Sequence, residues 1–528
     1  MTDDTYEQVR DEVLKNAAET AARLKADNPD AEPEDRINES FINDCLRANE
    51  RGDGLLYAYL FEERFVFDTI SEEWYEWQGH YWKLDEFFHH ANEVEAVAEV
   101  YGKAAARLAK PILDAMEAGD KDKIGKLRNL QRDYNKRASR LRSVRGVANC
   151  LKFAIKNNPM PLVISGNDFD LDPWLLGCVN GVIDLRNGKL TDGDPEDYIT
   201  RVSPIAYDGL DAERPVWEKT VSEIFDNDTA MVEFMQRVLG YGITGDTSEA
   251  KIPICLGRGR NGKDTIVETV AKVLGNDLSG PVLSETLLEQ QRKGPASGPN
   301  PEIVALKGLR LAFAAESDEG RRFSASKIKW LTGGNLLQGR GLFDKRATEF
   351  VPHFLLVLVT NYRPQAPAYD YAFWQRVLLI PFDIIFVDRK PEQDFERRMD
   401  KHLKDGLLDE ASGILAWLVQ GCLDWQRLDD LDPPPKVIDA TAEYRRDEDL
   451  LIAFEEDCLD KNPEYVSEAS ELYDAFKKWF SENVSKRNIL SQKKFGAMMK
   501  DRYQRRKVGT VKYYGIRLKP SAIYGMDD

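Results

Sequence analysis

The sequence is poor in the features that mark a stapled, metal-caged or membrane-spanning protein. Its six cysteines, Cys45, Cys150, Cys178, Cys255, Cys422 and Cys458, stand far apart in 528 residues. There is no CxxC pair and no histidine at metal-ligand spacing from any of them, which excludes a disulfide framework and a zinc module and leaves reduced, partly buried thiols. No apolar run approaches the ~20 residues that cross a bilayer, so no membrane partner is expected. The opening MTDDTYEQVRDEVLKNAAE scatters acids and apolar residues where a secretory signal would set a basic patch before an unbroken apolar stretch, and the expectation is a cytoplasmic protein. Positive charge is also short overall: 73 Lys and Arg against 91 Asp and Glu give a net charge of −18, which taken alone disfavours a nucleic-acid partner. The rest is ordinary for globular protein, with 42% hydrophobic and 31% charged residues and a length that allows roughly three domains.

What basic charge there is sits in two places. Residues 121–145 hold ten Lys or Arg against two Asp, and residues 486–519 hold twelve against one. Two basic faces therefore sit on an acidic body, and distribution matters more than the sum for nucleic-acid contact. A basic run is more often a solvated helix face than a binding site, so the first segment stays open between the two readings.

Along the chain, residues 1–37 read as a polar extension ending in DNPDAEPED, with little apolar content to anchor it. Residues 38–212 read as one α+β domain. Its aromatic stretch FVFDTISEEWYEWQGHYWKLD suggests short strands and turns, and Trp74, Trp77, Tyr81 and Trp82 are assigned to core in preference to base stacking. Residues 213–430 alternate apolar runs with helical stretches, the pattern of an α/β domain with a largely parallel sheet whose strands are KIPICLG, LRLAFAAE, FLLVLVTN and VLLIPF. A Pro-rich joint, LDDLDPPPKVIDAT, opens the last segment, residues 431–528. There ELYDAFKKWFSEN and SQKKFGAMMKDRY read as amphipathic helices, and VGTVKYYGIRLK reads as a hairpin turning near Gly509 or Gly515.

The most specific motif is GRGRNGKD, from Gly257 to Asp264, between the apolar IPICL and the helical TIVETVAKVL. In a strand–loop–helix setting, small residues let backbone N–H groups wrap phosphate oxygens, and the helix N-terminus adds a favourable dipole. Gly257, Gly259, Asn261, Gly262, Lys263, Asp264 and Thr265 are the expected nucleotide-binding residues, with Lys263 reaching the β and γ phosphates. Asp264 stands where such loops carry Ser or Thr, and Thr265 follows one residue later; both are magnesium-ligand candidates as hard oxygen donors. LRLAFAAE ends at Glu316, an acid placed to polarise water and a third metal-site candidate. FLLVLVTN ends at Thr360 and Asn361, and the Asn361 amide can bond both the attacking water and the γ-phosphate. Between these strands KIKWLTGGNLLQGRGLFDKR reads as a helix followed by a hairpin whose Lys329, Arg340, Lys345 and Arg346 could track a phosphate backbone; Lys327 belongs to the same segment. Arg376 lies just before a strand, where an arginine can reach a neighbouring subunit's γ-phosphate.

Taken in order, these motifs resemble the viral, phage and plasmid primase-helicase family typified by the poxvirus primase-helicase, within superfamily 3, over residues 40–520. WLLGCVNGVIDLRNGKL and YITRVSPIAYD resemble the block that precedes the helicase domain. Glu316 matches the Walker B acid, Lys329 with LTGGN the extra motif, Thr360 and Asn361 the sensor and Arg376 the arginine finger; Asn335 stands where the family often has Asp. The resemblance implies an AAA+-type P-loop core, a C-terminal winged-helix-like domain that would place Lys493, Lys494, Arg505, Arg506 and Lys507 against DNA, and a hexameric ring using ATP and Mg2+. It implies 3′ to 5′ movement on single-stranded or forked DNA as the replicative helicase of a phage, prophage or plasmid, in the host cytoplasm if phage-encoded. Only about 40 polar residues precede the family block, so a separate primase or polymerase is expected to supply priming. The alternatives are an ATP-regulated replication initiator or DNA-binding protein with little unwinding, or a nucleotide-dependent scaffold or defence protein without translocation.

Overall fold

A computed structural model describes residues 37–156, 162–289, 299–315, 321–342, 347–368, 370–483 and 489–520, together with isolated positions between 12 and 23. It is a mixed α/β chain that divides into two compact units, one holding residues 1–183 and 190–202, the other residues 184–189 and 203–528.

The first unit is built on helices whose starts are written locally. The Asn38 side chain accepts from Phe41 N to open Glu39–Arg47, and Ser143 accepts from Gly146 N to open Val144–Ala154. The aromatic stretch folds as an antiparallel run, Phe65–Asp68, Glu73–Trp77 and Trp82–Leu84, and Val163–Ile164 adds a parallel edge. Trp74 and Trp82 are buried, with Trp74 stacked on His90, so these rings serve packing. At the centre of the helical core lies a charge. Asp53, on Glu50–Phe61, accepts from Tyr101 Oη at 3.0 Å and from Arg137 Nη1 at 3.1 Å, and Arg137 Nη2 donates to Asn49 Oδ1 at 2.7 Å. These contacts tie three helices together, and burying a charge is tolerable only with such partners.

The second unit contains a five-stranded parallel sheet: β1 (Ile252–Leu256), β2 (Ser279–Val282), β3 (Leu311–Ala315), β4 (Leu355–Thr360) and β5 (Val377–Pro381), in the order β5-β1-β4-β3-β2. The four apolar runs named above form β1, β3, β4 and β5, and every residue of β4 is buried, as continuous apolar strands in a parallel sheet must be. Strand β2, SGPV, carries no comparable apolar signal; Gly280 and Pro281 are tolerated because it lies on an edge. Helix α1 (Lys263–Leu278) follows β1 directly after the glycine-rich loop. In the Pro-rich joint, Pro435 begins a helix, Pro435–Asp447, where its missing N–H costs nothing. That helix packs on the sheet: Thr441 Oγ1 accepts from Leu379 N at 2.9 Å, and Tyr444 is buried in the sheet's core.

Residues 449–518 hold a core of their own around Phe454, Phe476, Trp479, Phe495, Met499 and Ile516. Helices Ala469–Asn483 and Gln492–Arg502 precede the antiparallel pair Arg505–Val508 and Thr510–Leu518, which turns at Gly509 (φ 71°), while Gly515 lies inside the second strand. Strand Leu459–Glu468 completes this sheet. All six cysteines are buried and none forms a disulfide. No helix among the described residues is long and apolar enough to cross a membrane.

Burial pushes the Asp53 carboxyl up to about 6, from 3.8, although Arg137 and Tyr101 hold it back. A carboxyl whose folded value is raised contributes stability that is complete below its unfolded value and is lost as pH rises through the folded one. Wild type should therefore lose stability relative to Asp53→Asn between about pH 4 and pH 6, by up to about 3 kcal/mol at ~1.4 kcal/mol per pH unit. Chemical denaturation of both proteins across that range checks this; parallel pH curves would show that Asp53 stays ionised in the fold.

Candidate nucleotide site

The glycine-rich loop leaves the C-terminal end of β1, the sheet's second strand, and is held from both neighbours. Gly257 N donates to Thr360 O of β4 at 3.3 Å, while Phe382 N, just past β5, donates to Leu256 O at 2.8 Å and Phe386 N to Arg260 O at 2.7 Å. Inside the loop, the buried Asn261 accepts from Lys263 N at 3.4 Å and donates to Phe382 O at 3.4 Å. Gly259 (φ 29°), Arg260 (φ 56°) and Gly262 (φ 84°) take left-handed backbone, the conformation from which anion-cradling N–H concavities are built. Gly262 is doubly constrained, because a Cβ there would also lie 2.4 Å from Ile224 Cγ1.

Lys263 is the first residue of α1, and its side chain is only 3% exposed. The ammonium donates to Asn361 Oδ1 at 2.8 Å, and the same oxygen accepts from Gly259 N at 3.3 Å. The nearest carboxylate, Asp264 at 3.4 Å, is 59% exposed and offsets little of the charge. A buried cation at the positive end of a helix is in an unfavourable field, and an anion beside it relieves both. A cleft of about 660 Å3 opens beyond Asn361 at the start of the loop, lined among others by Gly257, Arg258, Asn361 and Tyr362 but not by Lys263; that volume lies within the range of small-molecule sites.

Four of the expected groups thus converge: the loop, Lys263, the first turn with Asp264 and half-buried Thr265, and Asn361. Asp264 and Thr265 are both hard oxygen donors next to Lys263, a donor set that fits a magnesium ion. Glu316 lies outside the described residues; Ala315 before it pairs with Val359, two residues ahead of Asn361. Arg376 is elsewhere. It precedes β5, and since Ile252 pairs with Val377 and Leu256 with Pro381, it sits at the opposite end of the strands from the loop, roughly 16 Å away at ~3.3 Å per residue.

The Arg376 guanidinium instead donates to Thr332 Oγ1 at 3.1 Å and to Ala372 O at 2.6 Å. Thr332 closes the helix Ala325–Leu331 that carries Lys329, and Lys329 Nζ lies 2.7 Å from Asp370 Oδ2. Asp370 also caps Tyr371–Trp374 by accepting from Phe373 N. Partial burial works to raise this carboxyl, yet the Lys329 and Phe373 hydrogen bonds outweigh it and hold it below the usual range. Sequence reading missed Asp370; its one signal is an Asp at N-cap spacing before YAFW. Lys329 is therefore engaged within the fold. Lys327 Nζ likewise donates to Glu285 O at 3.3 Å. Leu337–Gly339 and Thr348–Phe350 form the hairpin; Arg340 follows its first strand, its main chain bonded to Asn300, and Lys345 and Arg346 lie outside the described residues.

In the C-terminal segment Lys493, Lys494, Arg505, Arg506 and Lys507 are all exposed, and none has an ion-pair partner among the described residues. Arg506 rests over the Tyr514 ring at 5.3 Å. Arg502, by contrast, is bound by Asp449 and Glu455. In the first unit Glu76, Asp85 and His89 converge, but capping accounts for the arrangement: Asp85 accepts from His89 N and His90 N, and His89 Nδ1 lies 2.7 Å from Glu76.

Gly262→Ala should cost about 1–3 kcal/mol, since the added methyl meets both a left-handed φ and Ile224. Urea denaturation of the second unit's transition measures it; an unchanged midpoint would mean that the loop adopts another backbone.

The chain shows three kinds of likeness to known proteins. Residues 54–226 match the family model described as D5 N terminal like. The chain is 25% identical over 398 residues to a "Putative helicase" of Frog virus 3, covering 60% of this chain and 40% of that protein. It is 26% identical over 334 residues to a "Putative helicase" of Acanthamoeba polyphaga mimivirus, covering 60% and 34%, and 24% identical over 336 residues to a "Putative primase" of African swine fever virus, covering 61% and 34%. The chain thus spans between a third and two fifths of the length of these curated relatives. Among solved structures, the apo NrS-1 C terminal region aligns with 65% of this chain and 96% of its own at 12% identity, with a TM-score of 0.36. Residues 54–226 are thus similar to the D5 N terminal like family, and the chain is similar to helicase- and primase-named proteins of large DNA viruses.

Proposed function

We propose that the chain is an ATP-driven DNA helicase of the superfamily 3 type, working as a ring on single-stranded DNA in replication, with movement 3′ to 5′. The observation that carries this reading is the buried Lys263 ammonium at the start of α1, held by Asn361 inside a glycine-rich loop. An ATP phosphate chain is the ligand whose charge and length suit that loop and cleft. The sheet order β5-β1-β4-β3-β2 supports a P-loop core of AAA+ type.

In this mechanism the loop N–H groups and Lys263 bind the β and γ phosphates and stabilise charge as water attacks in line. Asn361 releases Lys263 to the phosphate and orients the water. Glu316 accepts the water's proton. Asp264 and Thr265 would hold magnesium, which neutralises phosphate charge when bound. Arg376 cannot reach Lys263 of its own chain, so a role on the nucleotide requires an adjacent subunit. Arg340, Lys345 and Arg346 belong to the segment assigned to the DNA channel, with Lys329 holding its base through Asp370, and the C-terminal segment is assigned a winged-helix-like role. Its exposed cations Lys493, Lys494, Arg505, Arg506 and Lys507 are also what an ATP-regulated initiator would use, so that second reading has a specific basis.

ATP hydrolysis should rise with single-stranded DNA, vanish in Glu316→Gln, and accompany opening of a fork with a 3′ tail. Nucleotide binding with DNA-independent hydrolysis and closed forks would instead favour the initiator. Turnover per chain should also fall on dilution, and Arg376→Ala should lower it by on the order of 10³-fold. Dilution-independent turnover, or an Arg376→Ala protein as active as wild type, sinks the shared site.

A further inference from the structure

The helix Lys121–Leu141 in the first unit sorts its charges by direction. Tyr134, Arg137, Ala138 and Leu141 are buried and mark its inner stripe. At about 100° per residue, Lys121, Arg128, Arg132 and Lys136 fall within roughly 80° of arc on the opposite side, spread along about 22 Å. All four are exposed. The helix's two acids, Asp122 and Asp133, fall beside this band and not on it.

Off the band, Lys123 and Lys126 are also exposed, whereas three cations nearer the body are neutralised: Arg137 by Asp53, Arg140 by Glu50 and Arg142 by Glu95. Those on the band are not. Lys121 and Lys136 have no acidic partner among the described residues, Arg128 reaches only Met116 Sδ at 3.7 Å, and Arg132 meets its chain neighbour Asp133 at 4.0 Å with both side chains well exposed. Such a surface pair offsets little charge. A chain of net charge −18 thus keeps one acid-free line of positive charge. Gly125 lies on the same band, and a Cβ there would touch nothing within 4 Å. A glycine inside a helix costs about 1 kcal/mol relative to alanine, and no packing explains this one; its bare backbone allows close approach from outside.

We infer that this outward band is a contact surface for the phosphate backbone of single-stranded nucleic acid. Arg128, Arg132 and Lys136 recur every four residues, about 6 Å apart along the axis, on the order of the spacing between phosphates of an extended strand. The band carries no aromatic side chain, so it holds the backbone without stacking bases, and the contact is indifferent to sequence and sensitive to salt. The inference rests on the DNA-dependent reading above and adds a second contact remote in sequence from the motor and the C-terminal segment.

The test is the full chain carrying Arg128→Gln, Arg132→Gln and Lys136→Gln together, compared with wild type and with a Lys493→Gln, Lys494→Gln, Lys507→Gln control. Fluorescence anisotropy with a labelled oligothymidylate, between about 50 and 200 mM salt, reads the dependence of log affinity on log salt. Three lost phosphate contacts should flatten the slope by about 2, at ~0.7 per contact on a single strand. Hydrolysis without DNA and the thermal transition should stay unchanged. An unchanged slope against intact wild-type binding overturns the inference alone, whereas wild type that binds no DNA overturns the helicase reading with it. If the triple variant loses binding only to blunt duplex, or only to polyglutamate, the surface belongs to duplex or to an acidic protein and the single-strand assignment fails.

Discussion

A lysine ammonium almost closed off from water, at the positive end of a helix, is the constraint from which the second unit's arrangement follows. Lys263 is stable there because Asn361 offers its amide oxygen at 2.8 Å, and that oxygen is in place only if β4 lies directly beside β1. The loop must then be tight enough to bring Gly259 N to the same oxygen, which needs the left-handed turns at Gly259, Arg260 and Gly262. Continuous burial of β4 and its neighbours supplies the rigidity that holds these atoms in register. One amide oxygen thus couples the loop, the helix and the adjacent strand.

The same economy governs charge elsewhere. Asp370 draws in Lys329 and caps the turn leading to Arg376, while Arg376 bonds back to Thr332 at the end of the Lys329 helix. Two cations with separate expected tasks therefore share one scaffold, and a change at either has a short path to the other. In the first unit, Asp53 and Arg137 pin three helices through a buried pair. On the same helix Lys121, Arg128, Arg132 and Lys136 stay in solvent, while Arg140 is paired with Glu50.

The sequence made a good part of this legible. The apolar runs of β1, β3, β4 and β5 announced themselves because strands covered on both faces need continuous hydrophobicity, and the amphipathic helices of residues 469–483 and 492–502 followed from their period. The glycine loop was readable because its geometry demands particular residues locally. Strand β2 was not, since an edge strand of Ser, Gly, Pro and Val is set by its pairing with β3 and not by its own composition. Nor was the Pro-rich joint's helix, where Pro435 opens an element that the run of prolines had marked as a break.

Local chemistry in this chain was determined by sequence alone: which segments turn, which are buried strands, which loop is glycine-rich and tightly wound, and where basic residues cluster. Tertiary structure decided the pairings. It set Asn361 on Lys263, assigned Lys329 to Asp370 and not to solvent, placed Arg376 a strand's length from the loop of its own chain, and turned Arg137 inward while its neighbours face out. The reason is physical: turn geometry and hydrophobic period act over a few neighbouring residues, whereas the partner of a charge depends on which distant strand or helix packing brings within about 3 Å.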